Sequence, residues 1–82
     1  MTDAEIRQAF LEELTKVAPD IDADDVGADD HLQDDLEIDS MDFLNFVSGL
    51  HKRLGVNIPE TDYPKIATLN LAAGYLAARL KG

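Results

Sequence analysis

The apolar positions of this 82-residue chain fall at helical spacing in three stretches, separated by one long polar connection and one short one. Thr2 followed by Glu5 forms a capping box, in which a hydroxyl and a carboxylate each satisfy a free backbone donor at a helix start. Ile6, Phe10, Leu14 and Val17 then recur one turn apart, while Glu5, Arg7, Glu12, Glu13 and Lys16 fall mostly on other faces. Pro19 disfavours helical backbone in the residue before it, so the first helix ends near Ala18. A second helix is predicted behind Asp39 as N-cap, its apolar run beginning at Met41 and its arc wide: Leu44, Val47, Leu50 and Leu54 form its stripe, and Phe43 and Phe46 extend it. Gly55 is a natural stop, and Lys52 and Arg53 complement the helix dipole in the last turn. Val56-Asn57-Ile58 reads as a short extended link. Pro59 opens a very short third helix, Glu60 to Tyr63, that halts before Pro64. Thr68 caps a last helix that buries Leu69, Ala72, Ala73, Leu76 and Leu80, with Tyr75 close to that face and Arg79 and Lys81 at its end.

The connection from Asp20 to Asp39 is turn-like, with Gly27 and many Asp residues that compete for backbone hydrogen bonds. Val26, Leu32, Leu36 and Ile38 are nevertheless spaced through it, so it is expected to lie on the core. The expected fold is therefore all-α: a small four-helix bundle with three long helices, one short third helix and a long loop between the first two. A single domain spanning residues 1–82 follows from the length.

Charge sharpens this picture. The formal net charge is −10, yet eleven acids and no base lie between Asp20 and Asp42, and the rest of the chain, with six acids and seven bases, sums to +1. Such a field repels nucleic-acid phosphates and anionic membrane surfaces and favours protein partners with basic patches. A calcium loop does not fit the acidic stretch. Starting at Asp20 puts Asp25 where the sharp-turn glycine belongs and His31 where the bidentate Glu belongs, and starting at Asp22 puts Val26 at a ligand position and Gln33 at the last.

With no Cys, disulfides, thiolate zinc sites and Cys nucleophiles are excluded. So small a chain does not wall off a deep catalytic cleft, which argues against an independent enzyme. The stretch from Met1 to Phe10 lacks the basic and apolar regions of a signal peptide, and no apolar run has membrane-spanning length, so the expected location is cytoplasmic.

Ser40 is the candidate for chemistry. It follows the N-cap Asp39 in the exposed first turn of the second helix, where its hydroxyl is open to esterification without disturbing the core. A phosphate ester there meets the positive end of the helix dipole, while Asp39 and Asp42 push its charge outward. Ser40 is a poor catalytic nucleophile, because His31 lies in the acidic stretch and His51 in the middle of a helix, neither placed as an oriented base.

Leu36, Asp39-Ser40-Met41-Asp42, Leu44, Val47, Leu50, Ile58-Pro59 and Lys65-Ile66-Ala67-Thr68-Leu69 together resemble an acyl carrier protein, with spacings that run without a gap from about Leu32 to Leu80. The resemblance implies that Ser40, within the motif of Asp39, Met41 and Asp42, carries 4′-phosphopantetheine from coenzyme A. The terminal thiol of that arm holds an acyl group as a thioester, and the protein shuttles it between enzymes of fatty acid or related lipid or polyketide biosynthesis without transforming it. The implied partners are a phosphopantetheinyl transferase and acyl-loading, condensing or acyl-transferring enzymes with basic patches. Nucleic acid and stable membrane insertion are not expected, and a monomer is.

The resemblance further implies an acyl pocket at Leu50, Leu54, Ile58, Tyr63, Ile66, Ala72 and Tyr75, and a docking surface at Glu37, Asp39, Asp42, Asn45 and Ser48. The sequence departs from the family in places. Tyr63 stands where small residues are usual, with Gly49 expected to compensate by making room, and Glu37 stands where Gly is common. Asn45, Ser48, His51, Lys52 and Arg53 occupy turns that are typically acidic or, at Ser48, apolar, which points to a specialised rather than a housekeeping carrier. A peptidyl or aminoacyl carrier, and an unmodified acidic adaptor, are the alternative readings.

Overall fold

A computed structural model describes residues 2–81, with the side chain of Lys81 outside the described part. Helix α1 spans Asp3–Val17, α2 spans Ser40–Leu54 and α3 spans Leu69–Lys81; two 3-10 segments, Ala23–Asp25 and Glu60–Ile66, lie in the connections. The helical bundle is all-α among the described residues, as the hydrophobic pattern predicts. Its α1 packs against both α2 and α3, and α3 also packs against the 60–66 segment.

The caps form as the sequence dictates. The Thr2 hydroxyl accepts from the Glu5 N–H at 3.2 Å, and the Glu5 carboxylate accepts from the Thr2 N–H at 2.9 Å. Gly55 ends α2 with φ +68°, donating its N–H to His51 O. Thr68 caps α3, its hydroxyl accepting from Leu71 N–H at 3.1 Å. The long loop does lie on the core. Leu32 and Ile38 are buried, and Val26 and Leu36 are packed against the core. Backbone bonds from Leu32 N–H to Ala67 O and from Asn70 N–H to Ala28 O moor the loop to the entry of α3.

Four expectations are corrected. The buried face of α2 is Phe43, Phe46, Val47 and Leu50, whereas Leu44 is 52% and Met41 73% exposed. The aromatic residues sit at i, i+3, i+4 and i+7 spacing with Val47 and Leu50, and that set buries more apolar area than a stripe through Leu44. On α1 the carboxylate-bearing Glu13 is buried beside Ile6, Ala9, Phe10 and Leu14, because Lys16 and Arg53 reach it with hydrogen bonds of 2.9 and 3.2 Å. Gly49 does not open room for cargo: a Cβ there would collide with the Glu13 carboxylate. The third helix runs through Pro64 to Ile66, since the fixed φ of proline suits a helical turn and the segment is held by buried Ile66 and by side chains rather than by an unbroken backbone ladder.

Candidate functional site

Ser40 is the first residue of α2 and is exposed, between two anchors that enter the core on either side of it. Upstream, Ile38 is 5% exposed and donates its N–H to Leu32 O at 2.9 Å; downstream, Phe43 is 7% exposed. The turn that aims Ile38 inward passes through Glu37 at φ +57°, the one non-glycine residue in the left-handed region among the described residues. That geometry accounts for the preference for glycine implied at this position. Asp39 is extended, its carboxylate accepts from Asp42 N–H at 2.8 Å, and its carbonyl accepts from Phe43 N–H at 2.9 Å. The result is a hydroxyl that projects into solvent from a fixed backbone.

Ser40 also stands on the wall of a groove of about 490 Å³ between the long loop, the start of α2 and the 60–66 segment. Phe43, Leu44, Tyr63 and Pro64 give it apolar surface, and the exposed His31, Gln33 and Glu60 give it polar groups. The Phe43 and Tyr63 rings meet edge to face with centroids 5.4 Å apart. Behind them Phe43 contacts Phe46 at 6.2 Å, and Phe46 meets Phe10 of α1 at 4.9 Å. An aromatic column therefore runs from the groove through the core to α1.

The 60–66 segment is pinned to α3 by Asp62. Its carboxylate accepts from Tyr75 Oη at 2.6 Å and from Arg79 at 2.9 Å, and Lys65 lies 3.3 Å away. The Tyr75 hydrogen bond foremost, with Lys65 and Arg79, holds the Asp62 carboxyl below its ordinary range despite partial desolvation. Tyr75 is correspondingly pushed up, by burial first and by its bond to Asp62 second. Arg79 also lies over the Tyr75 ring, 5.0 Å from its centroid.

The residues predicted for the site fall into two groups. Glu37, Asp39, Asn45 and Ser48 are exposed and Asp42 half-buried, around the start and outer face of α2 together with Met41. Of the positions implied for an acyl pocket, Leu50, Ile66 and Ala72 are 0% exposed in the central core and Ile58 is buried, while Leu54, Tyr63 and Tyr75 are half-buried. Tyr63 alone among them lines the groove at Ser40; with Ile58 it also lines a smaller depression of about 200 Å³ beside Leu44, Ser48 and His51. Sequence reasoning did not assign Phe43, Gln33 or Glu60 to the site. Phe43 had a usable signal, since it lies three residues after Ser40 on the same helix; the other two depend on how the loops fold back.

The geometry is that of an exposed serine at a helix start beside a shallow groove. Residues 4–76 match the family described as the phosphopantetheine attachment site. The chain is 33% identical over 76 residues to an acyl carrier protein of Lactobacillus johnsonii, covering 93% of this chain and 94% of that one. It is 30% identical over 64 residues to an acyl carrier protein of Streptomyces coelicolor, covering 78% and 70%. The solved structure of acyl carrier protein from Enterococcus faecalis superposes with a TM-score of 0.74 at 30% identity, covering 96% of this chain and 99% of that one. The chain belongs to the acyl carrier protein family, whose members are non-catalytic carriers with a phosphopantetheine attachment site. Membership implies encounters with a phosphopantetheinyl transferase and with biosynthetic enzymes. Among the described residues, no helix is long and apolar enough to cross a membrane.

Proposed function

We propose that this chain acts as one carrier domain whose 4′-phosphopantetheine is attached at Ser40, and that it serves a specialised pathway of lipid or polyketide assembly in the cytoplasm. The observation that carries the reading is the exposed Ser40 at the first position of α2, fixed between buried Ile38 and Phe43. Attachment forms a bond between Ser40 Oγ and the β-phosphorus of coenzyme A. It breaks the pyrophosphate linkage, releases adenosine 3′,5′-bisphosphate and gives up the hydroxyl proton. The bound arm supplies a thiol, which this Cys-free chain lacks, to hold an acyl group as a thioester. A flexible arm raises the effective concentration of cargo at each partner's active site. Glu37, Asp39, Asp42, Asn45 and Ser48 form the proposed docking face, where the acids steer basic partners and the neutral positions restrict which partners are accepted.

The test is the intact mass of the protein before and after incubation with coenzyme A and a broad-specificity phosphopantetheinyl transferase. One added phosphopantetheine, absent in Ser40→Ala, is the expected result. A folded protein that no carrier transferase modifies, and that binds a partner equally well as Ser40→Ala, would instead make it an acidic adaptor. Loading with acyl against aminoacyl donors distinguishes the proposed carrier from a peptidyl one.

A further inference from the structure

We infer that Phe43 and Tyr63 are specificity-determining residues that keep the carried group outside the bundle, so that this carrier takes short or oxygenated acyl groups in place of long alkyl chains. The inference rests on attachment of the arm at Ser40. The two rings pack edge to face at 5.4 Å in the groove that Ser40 borders, and the column continues through Phe46 to Phe10. A chain passing through this groove from Ser40 toward Leu50, Ile66 and Ala72 meets two rings already packed edge to face, and separating them forfeits their contact.

Two further features oppose opening. The 60–66 segment that carries Tyr63 is held to α3 through Asp62, Tyr75 and Arg79, so it does not swing outward without breaking charge-assisted hydrogen bonds. The missing side chain at Gly49 creates no reserve of space, because the Glu13 carboxylate lies against it. What remains for the cargo is the groove itself, with an apolar surface of Phe43, Leu44 and Tyr63 and polar groups on His31, Gln33 and Glu60. Hydroxyl or carbonyl oxygens on a short acyl group find partners there. A long alkyl chain would leave most of its methylenes in water, each at a free-energy cost.

The experiment compares the phosphopantetheinylated protein loaded with acetyl and with octanoyl groups, read by methyl and amide chemical shifts and by thermal unfolding. Shifts confined to His31, Gln33, Leu44 and Glu60, and melting temperatures that agree between the two cargoes, are expected. Burial of even three methylenes would raise the melting temperature of so small a domain by on the order of 10 °C. Such a rise, with shifts at Leu50, Ile66 and Ala72, would overturn the inference while leaving the carrier reading intact. Failure to attach the arm at all, seen by mass, overturns both. Tyr63→Ala, or Tyr63→Val should the first not fold, is expected to admit the octanoyl chain and show the core shifts that the parent lacks. A folded variant that still excludes the chain would refute the role given to this pair.

Discussion

Replacing Glu37 by glycine should stabilise the protein, and the structure gives both the sign and the size. Glu37 sits at φ +57°, where the Cβ of an L-residue crowds the backbone at a cost of about 1–2 kcal/mol. Glycine removes that cost but widens the unfolded ensemble, which takes back about 0.4–1 kcal/mol. The net gain is about 0.5–1 kcal/mol, or roughly 2–8 °C in melting temperature for a domain of this size. Glu37 is also one of eleven acids between Asp20 and Asp42, so loss of its charge could stabilise by a separate route. Glu37→Ala separates the two, because alanine removes the charge and keeps the strained backbone. Urea unfolding at fixed salt should rank Gly above Asn, which tolerates the left-handed region, and Asn above Ala and the parent. An alanine variant as stable as the glycine variant would refute the backbone argument and assign the effect to charge repulsion.

Two other substitutions test the ends of α2. Asp39→Ala removes the carboxylate that caps Asp42 N–H and should cost about 1 kcal/mol in urea unfolding, while slowing phosphopantetheine transfer to Ser40; slower transfer with unchanged stability would contradict the capping role. Glu13→Gln should cost about 1–2 kcal/mol near neutral pH by weakening the bonds from Lys16 and Arg53. Burial alone would raise the Glu13 carboxyl, but these two cations hold it below its ordinary value of 4.5. A depressed folded value means that its contribution is complete above pH 4.5 and fades as pH falls through the folded value. The glutamine variant should therefore lose less stability than the parent on acidification below that point, and parallel pH profiles would sink the argument.

The fold was legible in the sequence wherever one local signal acted without competition. Thr2 with Glu5, Asp39, Gly55 and Thr68 mark helix ends by hydrogen bonds that a chain makes with its own neighbours, and all four form. Burial was harder to read where two apolar sets shared one helix. On α2 both the Leu44 series and the Phe43 series have helical spacing, and only the positions of α1 and the 60–66 segment decide which faces inward. Glu13 was illegible for the same reason, since its burial depends on Arg53, forty positions away. At the candidate site, the Asp-Ser-Met-Asp step singles out Ser40 from sequence because the signal is local. The groove beside it is assembled from three segments, and its contribution from Gln33 and Glu60 follows from tertiary packing that no spacing rule conveys.

The same packing changes the meaning of the basic residues at the end of α2. Read along the chain, His51, Lys52 and Arg53 convert a helix that begins acidic into one that ends cationic. Arg53 is turned toward α1, where it pairs with Glu12 and Glu13, and His51 Nδ1 lies 2.9 Å from Val56 O. The Arg53 charge thus closes the α1–α2 interface, sharing the buried Glu13 with Lys16. Lys52 is exposed and lies beside Gly49, Lys16 and Arg53 on a shallow face of α2 and α1. A partner approaching Ser40 along α2 therefore meets acids at Asp39 and Asp42, neutral side chains at Asn45 and Ser48, and then an end where Arg53 is paired within the fold and Lys52 stays exposed. On α2, long-range attraction is thus concentrated around Ser40, so steering by charge brings a basic partner to the proposed attachment point and leaves the rest of the helix to select by shape.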